Sequence, residues 1–280
     1  MAHFYLIYII NRLEYDMNIG IAGIRPWHTG RIKFMKDIGY DFIESGLSYL
    51  SSADKNEVDE FAAFLKDVKM PCKSVNGMFP PEIKLIGKEA DREKIKDYLY
   101  FSFDKTKGLK FPVCVLGSGG ARTIPEGSDL DAAYDEFAQL ISEVIAPITE
   151  EYGITLAIEP LNYMECNIVN TVADSMRVVR AVNKPSVMTL IDYYHVLTNG
   201  ENIQEFVNYK GYIKHVHVAG TTRYYPRPFD GDDYKGFFEV LRRADYKEKN
   251  ISIEARLLEE KNDICFKNNA LCSISLLKSL

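Results

Sequence analysis

The sequence predicts a single α/β domain, a (β/α)8 TIM barrel. Three observations lead there. Short apolar runs alternate with longer amphipathic ones, eight times over, with no linker-like or low-complexity stretch between them; that alternation marks repeated βα units. A chain of 280 residues with 46% hydrophobic content is long enough for one such barrel. The first apolar run continues as "GIAGIRPWHTG", which lacks the GxGxxG spacing that a doubly wound dinucleotide-binding sheet carries after its first strand.

Taken in order, residues 1–16 ("MAHFYLIYIINRLEYD") are apolar over 4–10 but have neither a basic n-region nor a small-residue cleavage site. They are expected to form an N-terminal extension, with the barrel domain running over 17–280. The eight strands are expected at 18–23, 41–47, 72–79, 111–117, 154–160, 187–194, 213–220 and 250–256. Between them lie helical patterns such as "DKNEVDEFAAFLKDVK", with Asp54 as N-cap, and "DLDAAYDEFAQLISEVIAPITEEYG", ending at Gly153. Pro147, inside that second pattern, predicts a kink or break, since it offers no N–H to the preceding turn.

Composition narrows the function. With 34 Lys and Arg against 40 Asp and Glu, the formal charge is −6, which disfavours a nucleic-acid partner because phosphate binding rests on basic surface. No apolar run approaches the roughly 20 residues of a membrane helix. The five cysteines (Cys72, Cys114, Cys166, Cys265, Cys272) are odd in number and show no CxxC spacing, so they read as reduced core residues of a cytoplasmic protein. Small-molecule chemistry without nucleic acid or membrane is the expectation, with self-association left open.

In a barrel, the carboxyl ends of the strands form the mouth where chemistry occurs. Strands five to eight end in Glu159, Asp192, His217 and Glu254, one side chain per strand on one side of that mouth. Carboxylates converging there repel one another unless a divalent cation neutralises them, and an O/O/O/N donor set suits Mn²⁺, Mg²⁺ or Co²⁺ better than a closed thiolate zinc site does. In "IKHVHVAG" the two-residue period of a strand puts His215 and His217 on the inward face. His217 lies at the mouth as a ligand, and His215 lies a layer deeper as a hydrogen-bonded core histidine. Taken singly, each acid has a simpler reading as the cap of the following helix; four such coincidences at strand ends weigh against it.

The stretches "EPLNYMECNIVNT", "DYYH", "HVHVAGTTR" and "ISIEAR", in this order and spacing, resemble the xylose isomerase-like barrels, especially the ketose 3-epimerases and related sugar isomerases and epimerases. The resemblance runs from about Asn18 to the end of the chain. It implies that Glu159, Asp192, His217 and Glu254 hold one divalent metal, often Mn²⁺, with Mg²⁺, Co²⁺ or Zn²⁺ as alternatives. It further implies that Glu165, His195 and Arg223 contact the oxygens of a sugar, and that Glu159 and Glu254 are the acid/base pair. Two positions depart from the pattern: Gly220 stands where epimerases often carry a glutamate, and Tyr163 replaces a frequent arginine. Both alter the substrate pocket and leave the metal set intact.

The remaining strands supply the other half of the mouth. Trp27 and His28 follow strand one, Glu44 lies on strand two, and Asn76, expected among the substrate contacts, ends strand three with Phe79. Trp27 either stacks on a sugar's apolar face or packs under its loop; His28 is expected at the surface. After strand four, "GSGGARTIPEG" is either a tight turn or a backbone cradle for an anionic substrate group gripped by Arg122. Tyr224, Tyr225, Arg227 and Phe229 form a loop that either closes over substrate or is an exposed connection stiffened by Pro226 and Pro228.

The chemistry uniting these parts is proton abstraction α to a carbonyl, with the metal as Lewis acid stabilising an enediolate. Two other reactions on the same barrel, dehydration of an inositol-derived ketone and isomerisation of hydroxypyruvate, need the same metal and base. A zinc-cluster phosphodiesterase would demand more mouth histidines than the five in the chain. A non-catalytic sugar-binding protein would be marked by a missing glutamate of the pair, and both are present.

Overall fold

The computed structural model describes residues 17–256 and 262–280, so the expected extension at 1–16 lies outside the described residues. Eight parallel strands close into a barrel in sequence order: β1 (Asn18–Ile24), β2 (Phe42–Gly46), β3 (Cys72–Asn76), β4 (Val113–Leu116), β5 (Thr155–Ile158), β6 (Val187–Asp192), β7 (Ile213–Val218) and β8 (Asn250–Ile253). Closure comes from β8 pairing β1, with Asn250 opposite Asn18.

All eight expected strands are present, and most are shorter than expected at their carboxyl ends for local reasons. The third stops at Asn76 because Gly77 turns the chain with φ +53°. The sixth stops at Asp192 because Asp192 caps the helix Tyr193–Asn199 that starts immediately after it. Inside the barrel, alternation puts Val113, Val115, Ala157 and Leu190 in a small apolar cluster. The intervening residues, such as Cys114, Leu116, Leu156, Ile158 and Ile191, belong to the larger core between barrel and helices.

The helices begin where the sequence places caps. Asp54 accepts from the Asn56 N–H ahead of Lys55–Asp67, and Thr171 forms a reciprocal capping box with Asp174 ahead of Val172–Val182. The expected irregularity at Pro147 takes the form of one wider π turn, Ile141–Ile145, between Leu130–Leu140 and Ala146–Glu151. That turn absorbs the hydrogen bond that proline cannot make. Gly153 (φ +68°) closes the segment, its N–H donating to the Glu150 carbonyl. Three cysteines are buried as expected, but Cys265 and Cys272 are only half-buried, because both lie off the buried face (Phe266, Ala270, Ser273, Ile274, Leu277) of the helix Asp263–Leu277. Among the described residues, no helix is long and apolar enough to cross a membrane.

Candidate active site

Four side chains meet at the carboxyl ends of β5 to β8. Glu159 and Glu254 stand one residue past their strands, still held in register: the Glu159 N–H donates to the Leu116 carbonyl at 3.2 Å and the Glu254 N–H to the Val218 carbonyl at 3.1 Å. Asp192 ends β6 and faces His217 of β7 across the ladder. One donor atom from each of Glu159, Asp192, His217 and Glu254 lies within 4.8 Å of all the others. A divalent ion with ligand distances of about 2.0–2.6 Å spans such a set. The helix-cap reading of Asp192 is correct as well: Oδ1 accepts from the Tyr194 N–H at 2.8 Å. Among the described residues its other oxygen, Oδ2, is buried without a hydrogen-bond partner, and an orphaned carboxylate oxygen aimed into a ring of donors fits a cation.

Burial penalises every charge here, and the neighbours decide the outcome. On Asp192 burial prevails over nearby His195; with the Glu254 and Glu159 carboxylates adding to it, the pKa rises to about 6. On Glu254 burial is outweighed by His217 and Arg223, which bring it down to about 2. Burial also opposes the charge on His217, but Glu44, Glu254 and hydrogen bonding to Glu159 overcome it and hold the imidazole well above its ordinary range. Carboxylates are thus crowded around one imidazole, an arrangement that a divalent ion fits.

A second ring surrounds the first. His195 is fully buried, and its Nδ1 accepts the Asn162 backbone N–H at 3.1 Å. The proton is therefore on Nε2, which has no hydrogen-bond partner among the described residues and lies 3.5 Å from Asp192 Oδ2. Arg223 donates to Glu165 Oε1 at 2.7 Å and to Glu254 Oε2 at 3.2 Å, and its guanidinium lies over the Tyr194 ring at 4.7 Å. It adopts φ +58°, a left-handed conformation that is strained for a non-glycine residue. Asn76 donates to Glu254 Oε1 at 2.6 Å.

A profile of the family described as "Xylose isomerase-like TIM barrel" matches residues 32–264. The chain belongs to this family. Among relatives of the xylose isomerase-like barrels, it is 26% identical to the 3-dehydro-D-guloside 4-epimerase of Escherichia coli (strain K12) over 229 residues, 78% of this chain and 83% of that one. It is 22% identical to the D-psicose 3-epimerase of Agrobacterium fabrum over 200 residues, 70% of this chain and 68% of that one. The crystal structure of D-psicose 3-epimerase with D-tagatose from Clostridium cellulolyticum H10 superposes with a TM-score of 0.82 at 16% identity, covering 94% of this chain and 99% of that one. That likeness establishes the fold.

Within this xylose isomerase-like barrel two sequence expectations need correction. Arg122 does not face the mouth: it is fully buried, and it donates to the carbonyls of Leu116 (3.0 Å), Glu159 (2.7 Å) and Val169 (3.3 Å). It ties strand end to loop rather than gripping an anion. His28, expected at the surface, is buried, with Nδ1 accepting the Arg25 N–H; burial and the Arg31 and Arg25 charges push its pKa down to about 4. Trp27 is 62% exposed on the loop after β1, edge-on to Tyr49 and His28. Two contributors escaped the sequence reading. Asn162 is fully buried and joins Glu165 to His195. Gly117 leaves the space that the Glu159 carboxylate fills; an adjacent strand end and glutamate gave no signal of their contact.

Proposed function

We propose that the chain is a divalent-metal-dependent sugar epimerase of the ketose 3-epimerase kind, moving a proton at a carbon α to a carbonyl. One observation carries this reading: two glutamates from non-adjacent strands, Glu159 and Glu254, reach the same four-donor cluster with Asp192 and His217. The epimerases among its relatives support the reaction class. The cluster would hold the ion, for which the O/O/O/N set favours Mn²⁺, with Mg²⁺, Co²⁺ or Zn²⁺ as substitutes. When bound, a divalent ion supplies Lewis-acid polarisation of the carbonyl and adjacent hydroxyl oxygens.

The side chains do the rest. In the proposed reaction one glutamate of the pair removes the proton from one face of the sugar carbon, and the other returns one from the opposite face. Glu254 is held for that task on both oxygens, Oε1 by Asn76 and Oε2 by Arg223. His195, with its Nε2–H unspent, donates to a substrate oxygen. Arg223 and Glu165, already paired, align hydroxyls. Trp27 offers an exposed ring at which a sugar's apolar face can stack.

The test incubates chelator-treated, Mn²⁺-reloaded protein with a panel of free ketoses and keto-glycosides in D₂O. Deuterium wash-in at one stereocentre, abolished by Glu254→Gln and by chelator, is expected. No wash-in with any member of the panel, by protein that binds the metal, would leave a sugar-binding protein in place of an enzyme.

A further inference from the structure

Directly beneath the cluster, the barrel lumen holds a carboxylate that the proposed chemistry does not use. Glu44 of β2 is fully buried. Its Oε1 lies 2.9 Å from His217 Nε2. Its Oε2 lies 2.7 Å from His215 Nε2 and 2.7 Å from the Ser252 hydroxyl, and also accepts from the Ser74 hydroxyl. Four donors from three other strands thus converge on one carboxylate. An ionised group in a closed lumen is otherwise expensive; here hydrogen-bond donors on both carboxylate oxygens compensate it.

His217 has two ring nitrogens with separate partners. Nε2 faces Glu44; Nδ1 faces Glu159 Oε1 at 3.0 Å and Glu254 Oε2 at 3.3 Å. An imidazole that binds a metal carries one proton, on the nitrogen away from the metal. Glu44 accepts that proton's hydrogen bond at Nε2, leaving the lone pair on Nδ1 pointing at Glu159 and Glu254. We propose that Glu44 is a positioning residue for the metal centre, fixing the tautomer and the plane of His217 and strengthening it as a ligand. A carboxylate behind a ligating histidine has this effect generally. His215 and the two serines in turn hold Glu44 still. The inference rests on the metal reading of the cluster.

The experiment titrates Mn²⁺ into chelator-treated protein by calorimetry and records ¹⁵N-imidazole spectra of the parent with and without Zn²⁺. Glu44→Gln, which keeps size and loses charge, is expected to weaken Mn²⁺ binding about 10- to 100-fold. Ser252→Ala, which removes one of the donors that hold Glu44 and leaves its charge in place, is expected to weaken Mn²⁺ binding less than Glu44→Gln does. In Zn²⁺-loaded parent, the His217 proton is expected on Nε2 and the metal on Nδ1, a readout that requires no variant to fold. The proposal is overturned if the metal occupies Nε2, if Glu44→Gln binds Mn²⁺ as the parent does, or if the parent binds two ions and Glu44→Gln one. The last result would make Glu44, His215 and His217 a second metal site. If no divalent ion binds the parent, the functional reading fails. The Nε2–H of His217 then decides for Glu44 alone: protection from exchange in metal-free parent supports the contact, and rapid exchange removes it.

Discussion

A Cβ placed on Gly117 would lie 2.1 Å from Oε2 of Glu159. The glycine after β4 therefore leaves room for a neighbouring carboxylate, which any Cβ at this position would have to push aside. Gly117→Ala is expected to displace Glu159 and to lower affinity for the divalent ion by about tenfold or more, with loss of proton exchange. Calorimetric Mn²⁺ titration checks it; unchanged affinity in a folded variant would show that the carboxylate moves at no cost.

That contact shows where the sequence was legible and where it was not. Glu159, Asp192, His217 and Glu254 could be read because each occupies the same place in its own βα unit, a local pattern repeated four times. His215 could be placed one layer deeper by the two-residue period, and it is there, bonded to Glu44, Ser74 and Ser252. "GSGGAR" misled because glycines and an arginine in one loop are the ingredients of an anion site. Their partners instead come from later in the chain: Glu159 against Gly117, the Glu165 carbonyl against Gly119, and three carbonyls around Arg122. His28 misled for the same reason, since Asp263, one of the charged groups that act on it in the fold, comes from far along the chain.

Arg122→Met tests the corrected role of that arginine. Its guanidinium ties the carbonyls of Leu116, Glu159 and Val169, and Val169 is a β-branched residue held at φ +57°. Losing hydrogen bonds from a charged donor to buried carbonyls is expected to cost about 2–4 kcal/mol, lowering Tm by about 5–15 °C for a domain of this size. A raised KM with unchanged Tm would instead restore the anion-gripping role.

Glu201 gives the stability a pH dependence. Burial raises its pKa from 4.5 to about 7; the Val172 N–H bonded to Oε2 opposes this, and Asp174 and Glu205 add to it. Below 4.5 both folded and unfolded forms are protonated and the group has no effect. As pH rises through 7, the unfolded chain has released a proton that the folded one must surrender in a buried site, so stability falls. Glu201→Gln removes that loss. Its Tm is expected to match the parent near pH 4.5 and to exceed it by a few degrees at pH 8, as read by thermal melts across that range; parallel curves for the two proteins would remove Glu201 from the account.

Asn76 separates two roles at the mouth. The sequence placed it among the substrate contacts, whereas its amide donates to Glu254 Oε1 at 2.6 Å and so fixes the rotation of a carboxylate that, in the proposed reaction, meets a C–H bond. A small misplacement of a reacting group costs up to about 10²-fold in rate. If Asn76 acts through Glu254, Asn76→Ala lowers kcat by about 10- to 100-fold and leaves KM nearly unchanged. Asn76→Asp lowers it further, by setting a second negative charge against Glu254. If the amide instead binds a sugar hydroxyl equally in ground and transition states, KM rises while kcat holds. Steady-state kinetics on whichever ketose shows deuterium wash-in distinguishes the two, and the split between kcat and KM assigns the residue.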